Sequence, residues 1–490
     1  MLDVLIGVAI SSLLVAISMP GYLYGGFIFI ALVPLFFALE RKGPVFSALV
    51  SFLYFFLFTF INFNYLIPVL TTGFPELFGR FSSVTGFFVY ILFCILEALP
   101  FLLFGFLYGL WGDKIRYRFL EPLFVASLYV VTEFIRGIGD LGFTGGRLSD
   151  ALYNFKGLLQ ILPYVGTFGL TFLIVVVNYE SYKILRKNKY NIHIVLSIVC
   201  CLFLLNGILE YKLPEAIGEK PVVLAQTDLA QRVKYEYDSL QIVKYINDNF
   251  SQTPDYLTVF PEAVFPSTDI RNTDAEEQLL TMFRNRTFIV GYPTIENNKG
   301  FNSLHIYKNG NYADRYDKTK LFPFVEMLPY KGIFGKFDFL RGAAYFDKGE
   351  LKTFQIDGYG RVGLQICFES YFSNVSRELS KSSDYLIVST NDGWYNSKIA
   401  LTQHFTQSVF RAVETRRDVL QVSNTGISGL CDAYGNMTVL PYGTQWKVLY
   451  VDPKSEVTFY AKYGDYLVII SLIVIIISGM TAKKRKTIFE

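Results

Sequence analysis

The sequence has few of the residues that cross-link proteins or hold metal ions. Five of its 490 residues are cysteine and three are histidine. The histidines are scattered and have no metal-ligand spacing, so neither a metal site nor a cofactor is predicted. The cysteines do not form a disulfide framework either. Three cysteines lie in apolar runs, where packing is their expected role, and two lie in polar sequence: Cys94, Cys200 and Cys201, then Cys367 and Cys431.

Charge is scarce as well. Charged residues make up 18% of the chain, and the net charge is +3. A protein that binds nucleic acid needs a strongly basic surface, so nucleic acid is not a predicted partner. The sequence also has no evident internal repeat or low-complexity segment.

Apolar residues, in contrast, are abundant. The chain is 52% hydrophobic and 17% aromatic, and its mean hydropathy is +0.34. Soluble proteins of this length rarely reach that level, so membrane-spanning helices are expected. A span needs about 20 apolar residues. Eight candidate spans meet or approach this length: 4–18, 22–39, 46–68, 84–110, 119–136, 161–182, 192–209 and 465–480.

Short loops rich in lysine and arginine predict the orientation of these spans, because such loops face the cytoplasm. Basic clusters follow the second, fourth, sixth and eighth spans, and the alternate loops are poorer in basic residues. Both termini are therefore predicted to be cytoplasmic, and the polar region 210–464 extracytoplasmic. Met1-Leu2-Asp3 carries no positive side chain and no small-residue cleavage site follows, so the first segment is interpreted as a retained span.

Three charged residues lie within or at the ends of spans, namely Glu97, Glu133 and Arg136. Charges in membranes are costly and often functional, which makes Glu133 and Arg136 candidate functional residues of the membrane part. The alternative is a structural role, in which Glu133 pairs with Arg136 near the outer interface and Glu97 faces the bundle.

The polar region alternates short apolar runs with amphipathic ones. Strands are predicted at 221–227, 256–261, 287–292, 302–308, 361–367, 384–390, 419–424 and 446–451, and helices at 239–250, 274–284, 371–380 and 402–416. Strands interleaved with helices predict a layered α/β domain. The predicted divisions are a seven-span bundle at 1–209, the polar domain at 210–464, and an eighth span with a basic tail at 465–490.

Segment 327–349 is aromatic, contains glycine and has no clear periodicity. One interpretation is a partly packed surface loop. The other is a lid that touches the bilayer and admits a lipid chain, with Phe334, Phe337 and Phe339 exposed. The segment directly follows a lysine motif, which favours the lid.

Three polar residues stand beside predicted strand ends. Glu262 follows the apolar run 257–261, Lys318 lies in Tyr-Asp-Lys-Thr-Lys-Leu, and Cys367 ends the run 361–367. A carboxylate, an ammonium and a thiol can form an activated nucleophile, in which Glu262 is the base, Cys367 attacks a carbonyl and Lys318 stabilises the oxyanion. Cys431, in contrast, is predicted to be a packing residue of a strand over 428–432.

The sequences around these three residues resemble motifs of the nitrilase, or carbon–nitrogen hydrolase, superfamily. They are Val-Phe-Pro-Glu262-Ala-Val-Phe-Pro, Tyr-Asp-Lys318-Thr-Lys-Leu-Phe-Pro-Phe-Val-Glu326 and Gly-Leu-Gln-Ile-Cys367-Phe-Glu369. The stretch Ser389-Thr-Asn-Asp-Gly-Trp394-Tyr and then Gln-His404-Phe follow. This resemblance implies an αββα sandwich.

Set between seven spans and one, this succession resembles the apolipoprotein N-acyltransferase family of the bacterial envelope, over nearly the whole chain. Three residues depart from the pattern of the family: Tyr235, Phe368 and Val325 stand where tryptophan, tyrosine and glycine are usual. The resemblance implies that Glu262, Lys318 and Cys367 are catalytic, with supporting roles for Glu326, Glu369, Phe368, Tyr235, Trp394 and His404. Glu326 and Glu369 would position Lys318 or an incoming amine, or form structural ion pairs.

The implied reaction has two steps. Cys367 takes an acyl group from a phosphatidylethanolamine-like phospholipid, and the thioester passes it to the N-terminal amine of a diacylglyceryl-modified apolipoprotein. A helix starting after the cysteine strand is expected to depress the thiol pKa. The implied location is the bacterial inner membrane, with the catalytic domain in the periplasm and membrane lipid as a partner.

Two other functions compete with this one. A membrane-anchored amidase would use the same three residues on a soluble amide, and an open, polar pocket would favour it. A non-enzymatic binding or transport role would be favoured by loss of any of the three residues, and all three are present.

Overall fold

The structure is a computed structural model that describes residues 1–79, 82–214, 218–336 and 346–482. Phe337, Phe339 and the basic cluster Lys483-Lys484-Arg485-Lys486 lie outside the described residues. The chain divides into two compact units. One comprises the described residues of Met1–Pro75, Phe81–Leu213 and Tyr463–Glu490, and the other those of Glu76–Arg80 and Pro214–Lys462.

The first unit is helical. Its longer helices are Leu2–Ser18, Val33–Leu39, Pro44–Asn62, Ser83–Ala98, Pro100–Trp111, Leu120–Arg136, Leu162–Lys187, Ile192–Tyr211 and Tyr466–Thr481. Shorter helical turns are Gly25–Phe29, Leu66–Pro68, Val69–Gly73, Gly112–Lys114, Leu148–Leu152, Lys156–Leu159 and Lys189–Asn191. Helix thus lies in each of the eight predicted spans, although residues 30–32 interrupt the second and Pro100 begins a new helix within the fourth.

Four helices of the described chain are long and apolar enough to cross a membrane: Pro44–Asn62, Ser83–Trp111, Leu162–Lys187 and Lys189–Tyr211. Leu2–Ser18, Gly25–Leu39 and Tyr466–Thr481 are apolar but shorter. The described chain thus has several apolar helices, most of them in its N-terminal half, while the count of eight spans and their orientation stay predictions.

The charged residues of this unit do not pair as the structural alternative predicted. Arg136 does not pair with Glu133; its Nε and Nη2 atoms donate to Oε2 of Glu97 at 3.0 and 2.7 Å. Glu133 instead accepts from the backbone of Leu148 at 2.9 Å and from Thr171 at 2.8 Å. Glu133 and Arg136 are three residues apart on one helix, but other helices and the following loop offer each a buried partner. Both side chains thereby have buried hydrogen-bond partners within the helical unit.

The described residues of the second unit form twelve strands in two six-stranded sheets. In chain order they are β1 Lys220–Gln226, β2 Leu257–Val259, β3 Phe288–Glu296, β4 Lys299–Lys308, β5 Asn311–Asp317, β6 Thr353–Ile356, β7 Gly360–Ile366, β8 Tyr385–Thr390, β9 Val419–Ser423, β10 Gly429–Cys431, β11 Met437–Val439 and β12 Gln445–Val451. The strand orders are β12-β1-β2-β3-β4-β5 and β11-β10-β9-β8-β7-β6. Each sheet is therefore a row of six strands with an edge strand at either end, β12 and β5 in the first sheet and β11 and β6 in the second.

The two sheets are built on the same plan. Three parallel strands stand at the centre of each, β1-β2-β3 in one and β7-β8-β9 in the other, and antiparallel strands flank them. Buried side chains from both sheets form one apolar cluster, which includes Val259, Ile289, Leu364 and Ile387. The sheets are thus packed face to face.

Helices cover the outer faces. Helices of the second unit are Gln231–Glu236, Ser239–Phe250, Asp274–Met282, Lys331–Phe334, Cys367–Tyr371, Ser373–Ser380, Asp392–Trp394, Lys398–Thr415 and Phe459–Tyr463. Ser239–Phe250 and Asp274–Met282 pack on the first sheet through a second apolar cluster. Ser373–Ser380 and Lys398–Thr415 lie on the second sheet, where Ser376 bonds Gln365 and Ser408 bonds Gln421. The predicted αββα sandwich is confirmed.

Residues 327–349 are described in part. Met327 and Leu328 are buried, and the ring of Phe334 lies 5.0 Å from that of Phe324. The described part of the segment is therefore packed at Met327 and Leu328, whereas Tyr330 and Ile333 are 43% and 62% exposed. The lid function depends on Phe337 and Phe339, which lie outside the described residues, and it stays a prediction.

Candidate active site

The predicted catalytic residues each follow a different strand. Glu262 comes three residues after β2, Lys318 directly after β5 and Cys367 directly after β7. The first two strands belong to one sheet and the third to the other. The charges of Glu262 and Lys318 both act on the Cys367 thiol, so the facing sheets bring the three side chains together.

Lys318 is held between two carboxylates. Its Nζ lies 3.2 Å from Oε1 of Glu262 and 2.8 Å from Oε1 of Glu326. Asn302, on β4, donates from Nδ2 to the same two oxygens at 2.8 Å each. Burial lowers the pKa of Lys318, but the two carboxylates outweigh it and hold that pKa above its ordinary value. The ammonium is therefore charged and fixed in position.

Glu262 is oriented from its other oxygen as well. Oε2 accepts from the backbone N–H of Asn391, just after β8, at 2.9 Å. With Lys318 and Asn302 on Oε1, the carboxylate has defined donors on both oxygens. A base so held cannot rotate away from the thiol. No role was predicted for Asn302 or Asn391 from the sequence. Asn302 lies within a strand and has no local sequence signal. Asn391 lies in a motif, but its role follows only from its position after β8.

Cys367 has a strained backbone. Its φ is +50°, in the left-handed region that residues with a side chain rarely adopt. Such a conformation costs on the order of 1–3 kcal/mol and persists only where surrounding contacts enforce it. The residue begins a short 3-10 turn, Cys367–Tyr371, so the chain bends sharply as it leaves β7.

The Cys367 thiol is a weak acid in the resting state. Burial raises its pKa well above the usual range, and the carboxylates of Glu262 and Asp392 raise it further. Lys318 and a hydrogen bond with Thr390 act in the opposite direction and do not compensate. The expectation of a depressed pKa is therefore wrong, because burial outweighs the effect expected from a following helix. The thiol needs a base at the moment of attack.

Glu369 joins the lysine loop to the cysteine loop. Its carboxylate is fully buried. Oε1 accepts from the backbone N–H groups of Thr319 and Lys320 at 2.7 and 3.1 Å and from the Thr319 hydroxyl at 2.5 Å. Oε2 accepts from the backbone of Ile366 at 2.8 Å, and the Tyr316 hydroxyl donates to both oxygens. Glu369 therefore holds the backbone directly after Lys318 and directly before Cys367.

His404 supports the backbone of the nucleophile. Its Nδ1 lies 2.6 Å from Oδ1 of Asp392, and its Nε2 lies 3.2 Å from the carbonyl oxygen of Cys367. Both partners only accept hydrogen bonds, so both ring nitrogens carry hydrogen and the ring is an imidazolium. Burial alone would lower the pKa of His404, but Asp392 and the Cys367 carbonyl raise it above its ordinary value. The imidazolium thereby holds the carbonyl of the strained residue.

Aromatic residues surround this polar centre. Phe368 is buried and its ring lies 4.9 Å from that of Phe322 and 5.0 Å from that of Phe372. The rings of Tyr235 and Trp394 lie 6.2 Å apart. The first two contacts pack Phe368, the residue after Cys367, against Phe322 and Phe372, and the third joins Tyr235, on the helix Gln231–Glu236, to the turn after β8.

One trio in the described chain could group ligand atoms for a metal ion, namely Cys367, Asp392 and His404, whose atoms lie within 4.8 Å of one another. Both nitrogens of His404 already face hydrogen-bond acceptors, so neither offers a lone pair to a metal ion. The trio is therefore interpreted as the nucleophile and the two polar residues that support it.

The cluster can carry out acyl transfer. It combines a protonated thiol, a fixed carboxylate that can take its proton, and a fixed ammonium that can face a developing oxyanion. Its fold and residues are those expected of a carbon–nitrogen hydrolase, and the sequence model described as Carbon-nitrogen hydrolase matches residues 236–457. The second unit is a domain of that class.

The model described as Apolipoprotein N-acyltransferase N-terminal domain matches residues 11–179. A protein of Thermotoga maritima named apolipoprotein N-acyltransferase is 40% identical over 484 residues, which cover 97% of this chain and 93% of that protein. One of the same name from Geobacter metallireducens is 29% identical, covering 69% of this chain and 70% of that protein. The chain belongs to the apolipoprotein N-acyltransferase family.

Among solved structures, Nit3 of Saccharomyces cerevisiae, a member of branch 10 of the nitrilase superfamily, is similar to this chain. The identity is 16%, the TM-score is 0.38, and the match covers 49% of this chain and 92% of Nit3.

Proposed function

We propose that this protein transfers an acyl group from a phospholipid to the N-terminal amine of a diacylglyceryl-modified apolipoprotein. The observation that carries the proposal is the buried contact of Lys318 with Glu262 and Glu326 at the strand ends that also present Cys367. Membership of the apolipoprotein N-acyltransferase family favours this reaction over that of a membrane-anchored amidase acting on a soluble amide.

In the first step, Cys367 attacks an ester carbonyl of the phospholipid. The resting thiol is protonated, since burial raises its pKa. Glu262 takes the proton as the sulfur attacks, and then gives it to the glycerol oxygen that leaves. A lysophospholipid departs and an acyl thioester remains on Cys367. Glu262 ends the step as a carboxylate again.

Lys318 stabilises the oxyanion of the tetrahedral intermediate. Its ammonium is buried and already held by two carboxylates and, through them, by Asn302. A fixed charge in a dry site needs no reorganisation when the oxyanion forms, which is what makes such a group effective. Glu326 serves to position Lys318 in this mechanism.

Glu369 and His404 are positioning residues. Glu369 sets the distance between the lysine loop and the cysteine loop through its backbone bonds. His404, paired with Asp392, fixes the carbonyl of Cys367 and so orients the following peptide N–H of Phe368 for the oxyanion. Phe368, Tyr235 and Trp394 supply apolar surface beside the thioester, which would otherwise be lost to water.

In the second step, the amine of the apolipoprotein attacks the thioester. Lys318 again faces the oxyanion. Glu262 takes a proton from the attacking nitrogen and passes it to the departing sulfur, which restores the thiol of Cys367. The product is an amide, and the enzyme is ready for another phospholipid.

The proposed location is the bacterial inner membrane. The distribution of lysine and arginine in short loops supports cytoplasmic termini and an extracytoplasmic catalytic domain at 210–464, between a seven-span part at 1–209 and a last span with a tail at 465–490. Glu133 and Arg136 belong to the membrane part as buried structural charges. The donor is a phospholipid of the phosphatidylethanolamine kind, and membrane lipid surrounds the protein.

Mass spectrometry of the purified protein tests the proposal. The wild type incubated with phosphatidylethanolamine in mixed micelles should gain one acyl mass on the peptide that contains Cys367, and a diacylglyceryl-cysteine peptide should remove it as an N-acyl product. Cys367→Ser should carry no thioester, and Cys431→Ser is the matched control that should. Acylation of the Cys367→Ser variant at the normal rate would exclude Cys367 as the nucleophile.

A further inference from the structure

Lys234 is a buried amine beside the candidate active site that the mechanism above does not use. It lies on the helix Gln231–Glu236 and is 1% exposed. Its neighbour Tyr235 contacts Trp394, and Gln231 lies against Gly393 and accepts from Asn391 at 3.4 Å. Asn391 in turn donates its backbone N–H to Glu262. The helix that carries Lys234 is thus joined to the residues that hold the base.

The Nζ atom of Lys234 has no hydrogen-bond partner among the described residues. Nε2 of Gln231, one turn earlier and on the same face of the helix, is also buried and unpartnered there. Buried polar groups are nearly always satisfied by protein, water or ligand. Two such atoms beside the base indicate a polar space that is completed by a ligand or a water.

The surroundings of Lys234 favour a neutral amine. Burial lowers the pKa of Lys234 to about 7, and the carboxylate of Glu262 raises it only in part. Glu262, after β2, is the titratable group of the described chain whose charge acts on it. Gln231, on its own helix, and Asn391, after β8, are uncharged. An ammonium without a partner would be costly in such a place.

The overall reaction releases a proton that the three catalytic residues do not keep. A substrate amine arrives mostly as an ammonium at neutral pH, because the pKa of an α-amino group is about 7.7–8.0. Conversion of an ester and an ammonium into an alcohol and an amide releases one proton. The Cys367 thiol and the Glu262 carboxylate both return to their starting forms, so neither can keep that proton.

The charge of the site suits an ammonium. Glu262 and Glu326 share the single positive charge of Lys318, while Asp392 and His404 balance each other. With Lys234 neutral, the carboxylates next to Lys318 leave one negative charge in excess. A cationic substrate group is therefore attracted to the place where a neutral amine can accept its proton.

We propose, on the basis of the function above, that Lys234 deprotonates the incoming ammonium of the apolipoprotein in the second step. One N–H bond of the ammonium breaks and a bond to Nζ forms, directly or through one water. The neutral amine attacks the thioester, Glu262 transfers a second proton from nitrogen to sulfur, and the third stays on the amide. Lys234 then releases its proton to solvent as the product leaves.

The test measures the two steps separately. Wild type, Lys234→Met and Lys234→Arg are acylated with phosphatidylethanolamine, and the acyl-enzyme is then mixed with a diacylglyceryl-cysteine peptide at concentrations below saturation. Lys234→Met should form the thioester at the wild-type rate. This variant should use only the substrate amine that arrives in its neutral form, which is roughly a tenth of the total at pH 7. The rate of aminolysis should therefore be about tenfold below that of the wild type at pH 7 and should recover at pH 9. Lys234→Arg keeps a cation but cannot accept a proton, and should behave as the methionine variant does.

Two controls accompany these variants. Lys244→Met removes an exposed lysine from the next helix, Ser239–Phe250, and should change neither step. Hydroxylamine, which is already neutral at pH 7, should discharge the Lys234→Met acyl-enzyme as fast as the wild type after the enzyme-free rate is subtracted.

The assignment would be overturned by normal aminolysis in Lys234→Met at pH 7, by a defect of equal size at pH 9, or by activity retained in Lys234→Arg alone. The last would make Lys234 a binding site for an anionic group. Loss of thioester formation in both variants would also overturn it, because the residue would then serve the donor or the fold. If wild type forms no thioester, or its thioester resists the peptide, the proposed function fails instead.

Discussion

Replacing Glu369 by glutamine tests whether its carboxylate holds the lysine loop and the cysteine loop together. Two obligate donors, the N–H groups of Thr319 and Lys320, face Oε1, and a third, that of Ile366, faces Oε2. Glutamine has a single carbonyl oxygen, so its amide nitrogen must face one of these donors. The substitution keeps the shape of the side chain and breaks the link between the two loops.

The magnitude follows from the bonds lost. One buried N–H without an acceptor costs about 1–3 kcal/mol, and the loss of ionic character in the remaining bonds adds to this, for a total of about 2–4 kcal/mol. In a domain of this size that corresponds to a fall of about 5–15 °C in melting temperature. Lys318 directly precedes Thr319, and its displacement by about 1 Å would slow thioester formation on the order of a hundredfold.

The assay combines thermal unfolding in detergent, followed by tryptophan fluorescence, with the rate of acyl-Cys367 formation. Glu378→Gln is the matched control, because Glu378 is exposed on the helix Ser373–Ser380 and its loss should change stability by less than about 0.5 kcal/mol. If Glu369→Gln has the same melting temperature as Glu378→Gln and forms the thioester at the normal rate, this carboxylate does not hold the two loops together.

Three further predictions concern single residues. Lys318→Ala should slow thioester formation about a hundredfold by loss of the cation that faces the oxyanion, and near-normal kinetics would remove it from the mechanism. Cys431→Ala, buried in β10, should cost at most a few kcal/mol of stability and leave thioester formation normal; a disulfide with Cys367 would contradict this. Because the folded state raises the pKa of His404, its stabilising effect is complete below the unfolded pKa of about 6.5 and disappears as pH rises through the folded pKa. Melting temperatures of His404→Gln should therefore depend less on pH than those of wild type between pH 6 and 9, and parallel curves would refute the imidazolium.

The sequence predicted the parts of the fold whose signal is local. The central strands of both sheets are apolar on both faces and stand out as short hydrophobic runs, so β1, β3, β7 and β8 were found within a few residues. The strand around Cys431 is confirmed as β10. β5, in contrast, was missed because most of its residues are polar and exposed at the edge of a sheet.

In the candidate site, too, the sequence predicted the residues that have a local signal. Motifs placed Glu262, Lys318 and Cys367 at strand ends, because a polar residue that follows an apolar run can be recognised from the sequence alone. Asn302, which touches both Glu262 and Glu326, was not visible because it lies within a strand, and its role arises only when β4 pairs with β5. The pKa of Cys367 was predicted in the wrong direction because burial depends on the whole domain.

The division of the catalytic residues between two sheets has a consequence for biogenesis. The thiol emerges from β7 in one sheet, while its base and its cation emerge from β2 and β5 in the other. β12, the last strand of the chain, must also return to pair with β1 along the first sheet. Because β12 follows β7 in the chain, the sheet that carries Glu262 and Lys318 is completed only after the strand that presents Cys367 has been synthesised.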